Sequence, residues 1–138
     1  MASLSQLVET GLRHSMAEAA GDLAGTLATL EGEPVYELFP VGLQLRGMDG
    51  ARRYYEYFFR AAAARMAGYR LLHEWISEQG VLQEYDIDCR CDGGTVKTFR
   101  VIGILKFGVN ALSGERLYAD EEFLRILFGP LWSELEPI

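Results

Sequence analysis

The fold is decided by the stretch YRLLHEWISEQGVLQEYDIDCRCDGGTVKTFRVIGILKFGVNALSGERLYA, which spans residues 69–119. It contains four β-prone segments, at Tyr69–Ser77, Val81–Cys91, Val96–Phe107 and Ala111–Ala119. Each pair of neighbouring segments is separated by a turn signal: Gln79-Gly80, Asp92-Gly93-Gly94 and Gly108-Val109-Asn110. Three hairpin signals in a row predict an antiparallel meander.

Helical patterns lie on both sides of this meander. Apolar residues recur at helical spacing through residues 1–20, and a second helix is expected to start at an Asp22 cap and run to Gly32. An aromatic third helix is predicted after Asp49, again as a cap, and a last one from Asp120 to Gly129-Pro130. The prolines around residues 34–40 predict a short or edge strand. This order of elements indicates an α+β fold.

The composition predicts one domain over residues 1–138, with an N-terminal helix in 1–20, a core in 21–129 and a tail in 130–138. About half of the residues are apolar (49%), and the net charge of −7 argues against nucleic acid as a partner. No apolar run approaches a membrane span, so no membrane partner is expected. The N-terminus does not resemble a signal peptide, and the only cysteines, Cys89 and Cys91, favour a cytoplasmic protein.

Several stretches resemble the nuclear transport factor 2-like superfamily, and within it the SnoaL-like polyketide cyclase group. They are Val35–Pro40 with Leu45-Arg46-Gly47 and the aromatic helix, and Gly114–Asp120 running into Phe123–Gly129. The resemblance implies a cone-shaped, strongly curved antiparallel sheet with N-terminal helices and a short C-terminal helix. It also implies a homodimer formed through the outer sheet face. Its members include cyclases, isomerases, dehydratases, an epoxide hydrolase and proteins that only bind or carry.

His73 is the first candidate for chemistry in the predicted apolar pocket. If Tyr69, Leu71, His73 and Trp75 alternate onto the inner face of the sheet, the imidazole is desolvated and suited to act as a base. The alternative is a core histidine bonded to a backbone carbonyl. No metal is expected, because no second histidine is nearby.

Tyr36 matches a position where related enzymes place a pocket tyrosine, and Tyr85 could face it from the opposite wall. Either hydroxyl would bind a substrate carbonyl or a developing oxyanion. The alternative is that each tyrosine only packs in the core with its hydroxyl hydrogen-bonded. On the closing strand, Glu115 and Leu117 share one face and Asp120 the other, and the sequence leaves open which face is inward. An inward Glu115 would have a raised pKa suited to proton transfer. Asp120 is either a helix cap or a secondary site residue.

The remaining candidates are expected to form the walls of the pocket and bind substrate: Tyr55, Phe58, Phe59, Tyr69, Trp75, Ile87, Phe99, Val101 and Leu117. The first hypothesis is a SnoaL-like enzyme without cofactor that cyclises, isomerises or dehydrates a hydrophobic carbonyl compound, as a lyase or isomerase. The second is a non-catalytic module that binds a hydrophobic ligand, favoured because Leu117 stands where the epoxide hydrolase branch has its aspartate. A third is a scaffold whose cone is filled by its own side chains, against which Gly103 argues.

Overall fold

The computed structural model describes residues 1–138 and shows helices packed on one curved sheet. The elements are α1 (Leu4–Ala20), α2 (Leu23–Ala28), β1 (Leu30–Phe39), β2 (Leu43–Arg46), α3 (Met48–Tyr57), β3 (Met66–Ser77), β4 (Gly80–Arg90), β5 (Val96–Phe107), β6 (Leu112–Tyr118), α4 (Glu121–Phe128) and β7 (Glu136–Pro137). A π-helical turn (Phe58–Ala62) and a 3₁₀ turn (Ala63–Arg65) follow α3, and another 3₁₀ segment (Gly129–Glu134) follows α4. The α+β class is confirmed.

The seven strands are ordered β3-β4-β5-β6-β1-β2-β7. The predicted meander is confirmed, because β3 pairs with β4, β4 with β5 and β5 with β6, each time antiparallel. The sheet is mostly antiparallel, and its one parallel pair joins β1 to β6. No helix is long and apolar enough to cross a membrane.

Two of the predicted caps are present and one is not. Asp22 accepts a hydrogen bond from the Gly25 amide at 2.9 Å, and Asp120 accepts one from the Glu122 amide at 2.8 Å. These carboxylates satisfy amides that have no partner within their own helix. The prediction for Asp49 is wrong, because α3 begins after Gly47 and the Asp49 side chain instead pairs with arginines of its own helix.

The prediction that residues 34–40 form only a short or edge strand is also wrong. Residues 34–39 belong to the ten-residue β1, which lies between β6 and β2. This strand starts at Leu30, so α2 ends before the expected Gly32. Pro34 is tolerated because the β1–β6 register shifts between Leu30 and Val35, where the ladder does not need its missing amide hydrogen. The Pro34 carbonyl still accepts a hydrogen bond from the Gly47 amide.

A bulge in β3 changes which of its side chains face inward. Tyr69 pairs with Ile87 and Leu71 with Tyr85, but the next pairs are His73 with Glu84 and Trp75 with Leu82. One extra residue therefore stands on β3 between Leu71 and His73, and the alternation of faces is reversed beyond it. As a consequence, Tyr69 and Leu71 lie on the concave face, whereas His73 and Trp75 lie on the convex face.

The core lies between the concave face, α3 and α4. Its largest fully buried side chains include Tyr36, Tyr55, Phe123 and Phe128, and the Phe128 ring stacks on Tyr54 with 4.4 Å between ring centroids. The packing of these aromatic side chains holds α4 across one end of the cone.

We expect Phe128→Ala to lower the free energy of unfolding by about 3–5 kcal/mol, because it removes a fully buried ring and leaves a cavity against Tyr54. Urea denaturation measures this change. Val109→Ala is the matched control, since that side chain is exposed, and it should leave stability within about 0.5 kcal/mol of wild type. A small effect of Phe128→Ala would contradict the assigned core.

Candidate functional site

A cavity of about 500 Å³ opens on the concave side of the sheet. It is lined by α1, α3 and its π-helical extension, the central strands and α4. The lining residues are His14, Ser15, Glu18, Ala19, Tyr54, Phe58, Ala63, Met66, Tyr69, Gln83, Tyr85, Ile87, Gly103, Leu105, Glu115, Leu117, Phe123 and Leu127. Ala19 and Tyr69 are exposed and mark the mouth. The cone is therefore hollow, which argues against the scaffold hypothesis.

Four of the residues predicted from sequence as substrate-binding line this cavity, namely Phe58, Tyr69, Ile87 and Leu117. Tyr85, which was predicted as a catalytic candidate, lines it as well. Tyr55, Phe59, Phe99 and Val101 do not line it; they pack behind it in the core or beside it. The Phe99 ring lies against Phe123, with 5.4 Å between ring centroids, and so supports the wall from behind.

The predicted position of His73 in the pocket is wrong. Its side chain is exposed on the convex face beside Trp75, with 5.4 Å between ring centroids, and Trp75 is 55% exposed. The β3 bulge is the physical reason, because it moves both residues to the face opposite Tyr69. Trp75 is thereby also removed from the predicted pocket wall.

The open question about the closing strand is answered by the pairing of β6. Glu115 and Leu117 line the cavity, whereas Arg116 and Tyr118 lie on the convex face, where the Tyr118 ring stacks on Phe39 at 4.8 Å. Asp120 caps α4 and does not reach the cavity. Of the carboxyl groups predicted as site candidates, only Glu115 lies in the pocket.

Among the cavity residues that the sequence did not reveal, the two with the most chemical consequence are His14 and Glu18 of α1. The His14 side chain is 1% exposed, and its Nε2 lies 3.3 Å from Glu18 Oε2 one helical turn away. The signal was available: His14 continues the buried stripe formed by Leu7, Thr10 and Gly11. A polar side chain on the buried stripe of a helix indicates a partner in the interior.

The tautomer of His14 follows from its hydrogen bonds. Thr29 Oγ1 donates to the Thr26 carbonyl at 2.6 Å, so at the His14 contact of 2.7 Å it must accept a proton from Nδ1. Nε2 is left facing the cavity, Glu18 and the Tyr55 hydroxyl at 3.1 Å. The Tyr55 hydroxyl in turn contacts the Tyr36 hydroxyl at 2.7 Å.

Tyr36 is accordingly not in the cavity. It is 1% exposed and stands behind Tyr55, as the end of a buried hydrogen-bond chain that starts at Thr29. Burial raises the pKa of both phenols well above the ordinary value, so both keep their protons. Tyr36 therefore positions Tyr55 and does not line the cavity.

The Glu115 side chain is half-buried at the cavity wall, and it has no ion pair with a lysine or arginine. Burial, together with the nearby Glu18 carboxylate, raises the pKa of Glu115 to about 8. His14 and the Tyr55 hydroxyl act in the opposite direction but do not cancel this effect. Tyr55 is a weak partner for Glu115, because its hydroxyl is already engaged with Tyr36 and His14. Near neutral pH, Glu115 is therefore largely a neutral acid.

The charge state of His14 depends on the same carboxyl groups. Burial lowers the pKa of His14, but the hydrogen bond and the charge of Glu18, with Glu115 further away, outweigh burial and raise it overall. Donor atoms of His14, Glu18 and Glu115 all lie within 4.8 Å of one another. A histidine with two carboxylates is a donor set that a divalent cation can use.

Gly103 leaves room beside Glu115. A Cβ atom at this position would lie 3.6 Å from Tyr85 Cε1 and 3.8 Å from Glu115 Oε1, which are ordinary contact distances. The absent side chain thus opens the space between the Tyr85 ring and the Glu115 carboxyl group. Burial raises the pKa of Tyr85 well above its ordinary value, so its hydroxyl is available as a donor.

Comparisons with solved structures identify the fold. A Bacillus subtilis protein provisionally assigned as an isomerase matches with a TM-score of 0.68 and 15% identity, over 94% of this chain and 96% of its own. An NTF2-like protein of Burkholderia xenovorans also matches with a TM-score of 0.68 and 15% identity, over 91% of this chain and 98% of its own. A de novo designed protein with a curved β-sheet matches with a TM-score of 0.67 and 13% identity, over 96% and 99%.

No protein-family model matches the sequence, and no curated protein does. These three structures, each below 25% identity to this chain, nevertheless agree on the architecture. The chain has the nuclear transport factor 2-like fold, as its sequence predicts.

We expect the stability of the protein to fall as the pH rises from about 5 to about 9. The folded-state pKa of Glu115, about 8, lies above its ordinary value of 4.5, so between these values the folded protein binds more protons than the unfolded chain. The raised pKa of His14 acts in the same direction, because its contribution is lost as the pH rises through that pKa. Glu115→Gln should remove much of this fall, as measured by urea denaturation across the pH range.

The matched control is Glu136→Gln, which replaces an exposed carboxylate on the C-terminal tail. It should leave the pH profile of stability like that of wild type. A Glu115→Gln profile that runs parallel to wild type would show that Glu115 is not held in an unfavourable site.

Proposed function

We propose that the protein is a SnoaL-like enzyme that transfers protons on a hydrophobic carbonyl compound without a cofactor. The observation that carries the proposal is the Glu115 carboxyl group, which faces an apolar cavity with a pKa of about 8. General acid–base catalysis is most effective when the catalytic pKa lies near the working pH. Glu115 thus takes the role that the sequence analysis gave to His73.

The space beside Gly103 is the place for the reacting carbonyl group. The Tyr85 hydroxyl would donate a hydrogen bond to the carbonyl oxygen and stabilise negative charge as it develops there. The carboxylate form of Glu115 would take a proton from the carbon next to the carbonyl. The same group, now protonated, would return the proton to another carbon, which completes an isomerisation and restores Glu115.

His14 would assist Glu115 as a positioning residue. Its ring is fixed by Thr29 on one side, and on the other it meets Glu18 and the Tyr55 hydroxyl. The charge on this ring lowers the pKa of Glu115 and so keeps the carboxylate form accessible near neutral pH. Phe58, Phe123 and Leu117 would exclude water from the reaction.

A non-catalytic module that binds a hydrophobic ligand is the second candidate function. Most residues that line the cavity are apolar, which suits binding alone. Catalysis is favoured over this candidate because Glu115 is not locked to a backbone group. One of the structural relatives is provisionally an isomerase, which is compatible with either candidate at the level of the fold.

We also propose that two copies of the chain associate through the convex face of the sheet. Trp75, Leu82 and Ile104 pair across β3, β4 and β5 and form an apolar row, and Trp75 is largely exposed. Both charge signs flank this row, in the Arg100–Asp86 and Arg70–Asp88 pairs. In a two-fold dimer, the apolar row of one copy would pack against the same row of the other, and opposite charges would meet beside it. A second copy of the chain is therefore the partner that fits this face best.

We expect the wild-type protein to exchange the α-protons of phenylacetone in deuterium oxide, faster as the pH rises through about 8. Glu115→Gln should lower the rate by at least about a hundredfold, because it removes the acid–base group but keeps its shape. Nuclear magnetic resonance measures the exchange. His73→Ala is the matched control and should leave the rate unchanged, since His73 lies on the convex face.

Binding of phenylacetone to the wild type without exchange would favour the non-catalytic module. Loss of exchange in His73→Ala, with Glu115→Gln still active, would contradict the proposed site. Gly103→Leu should abolish both binding and exchange, because the new side chain fills the space between Tyr85 and Glu115.

We expect the wild-type protein to sediment as a dimer at tens of micromolar. Trp75→Glu should raise the dissociation constant of the dimer at least about tenfold, because it places a charge in the apolar row. Sedimentation velocity distinguishes the two states. Leu12→Glu is the control, because Leu12 is 60% exposed on α1, away from this face. A monomeric wild type, or a dimer unaffected by Trp75→Glu, would contradict this assembly.

A further inference from the structure

The cavity contains acidic groups but no permanently cationic ones. None of its 18 lining residues is a lysine or an arginine, although the chain has 13 of these. Its ionisable side chains, apart from tyrosines, are His14, Glu18 and Glu115. A ligand with a carboxylate or phosphate group would be buried here beside two carboxyl groups and without a fixed positive partner, which is unfavourable.

The two carboxyl groups face each other from different elements. Glu18 lies on α1 and Glu115 on β6, and their oxygens lie within 4.8 Å of each other and of a His14 nitrogen. Two arginines are next to this cluster in sequence, and neither lines the cavity. Arg116 lies on the convex face, where its guanidinium group is 4.8 Å from the centre of the Phe39 ring. Arg13 donates a hydrogen bond to Thr10 Oγ1 at 3.0 Å. No side chain of the protein therefore supplies the positive charge that would balance both carboxylates.

Aromatic rings surround the rest of the cavity. Five of the lining residues are aromatic: Tyr54, Phe58, Tyr69, Tyr85 and Phe123. The faces of such rings attract cations, and their area favours an apolar ligand body. A volume of about 500 Å³ also exceeds what a single metal ion needs and is within the range of sites for small organic molecules.

We propose that the cavity selects an organic ligand that carries a protonated amine, and that it rejects carboxylates and phosphates. The ammonium group lies between Glu18 and Glu115, and the apolar body of the ligand packs against the aromatic rings. This inference rests on the proposed function, because it names the substrate class of the same site. It adds that the carbonyl compound also carries an amine.

Binding of such a ligand is coupled to a proton. The groups that face Glu115 from the surrounding elements are His14 and Glu18 of α1, Tyr36 of β1, Tyr54 and Tyr55 of α3, and Tyr85 of β4. None is a permanent cation, so an incoming ammonium group is the strongest new influence on the carboxyl group. It favours the carboxylate form, and the Glu115 proton is released to solvent.

The test compares three probes of nearly identical shape: cinnamylamine, cinnamyl alcohol and cinnamate. Isothermal titration calorimetry at neutral pH should show that the amine binds at least about tenfold more tightly than the alcohol, and that cinnamate does not bind. Repeating the amine titration in phosphate and in Tris should reveal release of close to one proton per ligand bound. Cinnamate binding as tightly as cinnamylamine would overturn the proposal.

Variants assign the effect to the two carboxyl groups. Glu115→Gln should lower the affinity for cinnamylamine about tenfold and abolish proton release, and it should leave the affinity for cinnamyl alcohol unchanged. Glu18→Gln should weaken amine binding and reduce proton release without abolishing it, because burial still raises the pKa of Glu115 while the charge of Glu18 no longer does. Gly103→Leu should abolish binding of both probes, which excludes binding on the outer surface. An amine preference that persists when both glutamates are replaced by glutamine would overturn the proposal.

Titration with zinc chloride alone separates an organic cation from a metal ion. If zinc binds to the wild type but not to Glu115→Gln, and cinnamylamine is not preferred over the alcohol, the cluster is a metal site and the amine proposal is overturned. The outcomes also separate this proposal from the proposed function. Amine selectivity without α-proton exchange on phenylacetone leaves the ligand class intact and removes only the catalytic role.

Discussion

The structure depends on the buried hydrogen-bond chain that runs through His14. An imidazole can be taken out of water only if both of its nitrogens find partners, because an unsatisfied buried polar group is costly. Here Thr29 satisfies one nitrogen, and Tyr55 and Glu18 meet the other. These partners come from the C-terminal end of α2, from α3 and from α1 itself. The chain of contacts therefore fixes how α1 lies over the concave face, and α1 in turn closes one wall of the cavity.

The position of α1 determines the properties of Glu115. Helix α1 lines the cavity beside Glu115 and carries the Glu18 carboxylate that helps to raise its pKa. With α1 in place, the Glu115 carboxyl group is desolvated and lies close to the Glu18 carboxylate, which is the source of its raised pKa. The protein thus keeps an acid in a site that costs stability whenever the acid is ionised. Sites of this kind are typical of functional residues, because stability alone would select an apolar residue here.

Much of the fold could be predicted from local patterns. Turn residues predicted the meander, and the Asp22 and Asp120 caps were found because capping involves residues close in sequence. The alternation of β6 correctly grouped Glu115 with Leu117. Alternation failed on β3, because a bulge is set by the pairing with β4 and leaves no clear signal in β3 itself. His73 was misplaced for this reason. The strand around Pro34 was wrongly predicted to be short or at an edge. Proline has no amide hydrogen, but Pro34 lies at a register shift between β1 and β6, which are far apart in sequence.

His14 and Glu18 show a different limit, since they lie in the N-terminal helix, outside the stretches that carry the family resemblance. The sheet and the later helices form an architecture that natural proteins share at 10–19% identity and that a designed chain also adopts. Such a framework specifies a hollow but not what the hollow recognises. In this chain, β6 supplies one carboxyl group, and α1 supplies both the second carboxyl group and the imidazole between them. The chemistry of the cavity is therefore a property of how α1 meets β6, and a relative with the same sheet but a different first helix would have a cavity of different charge.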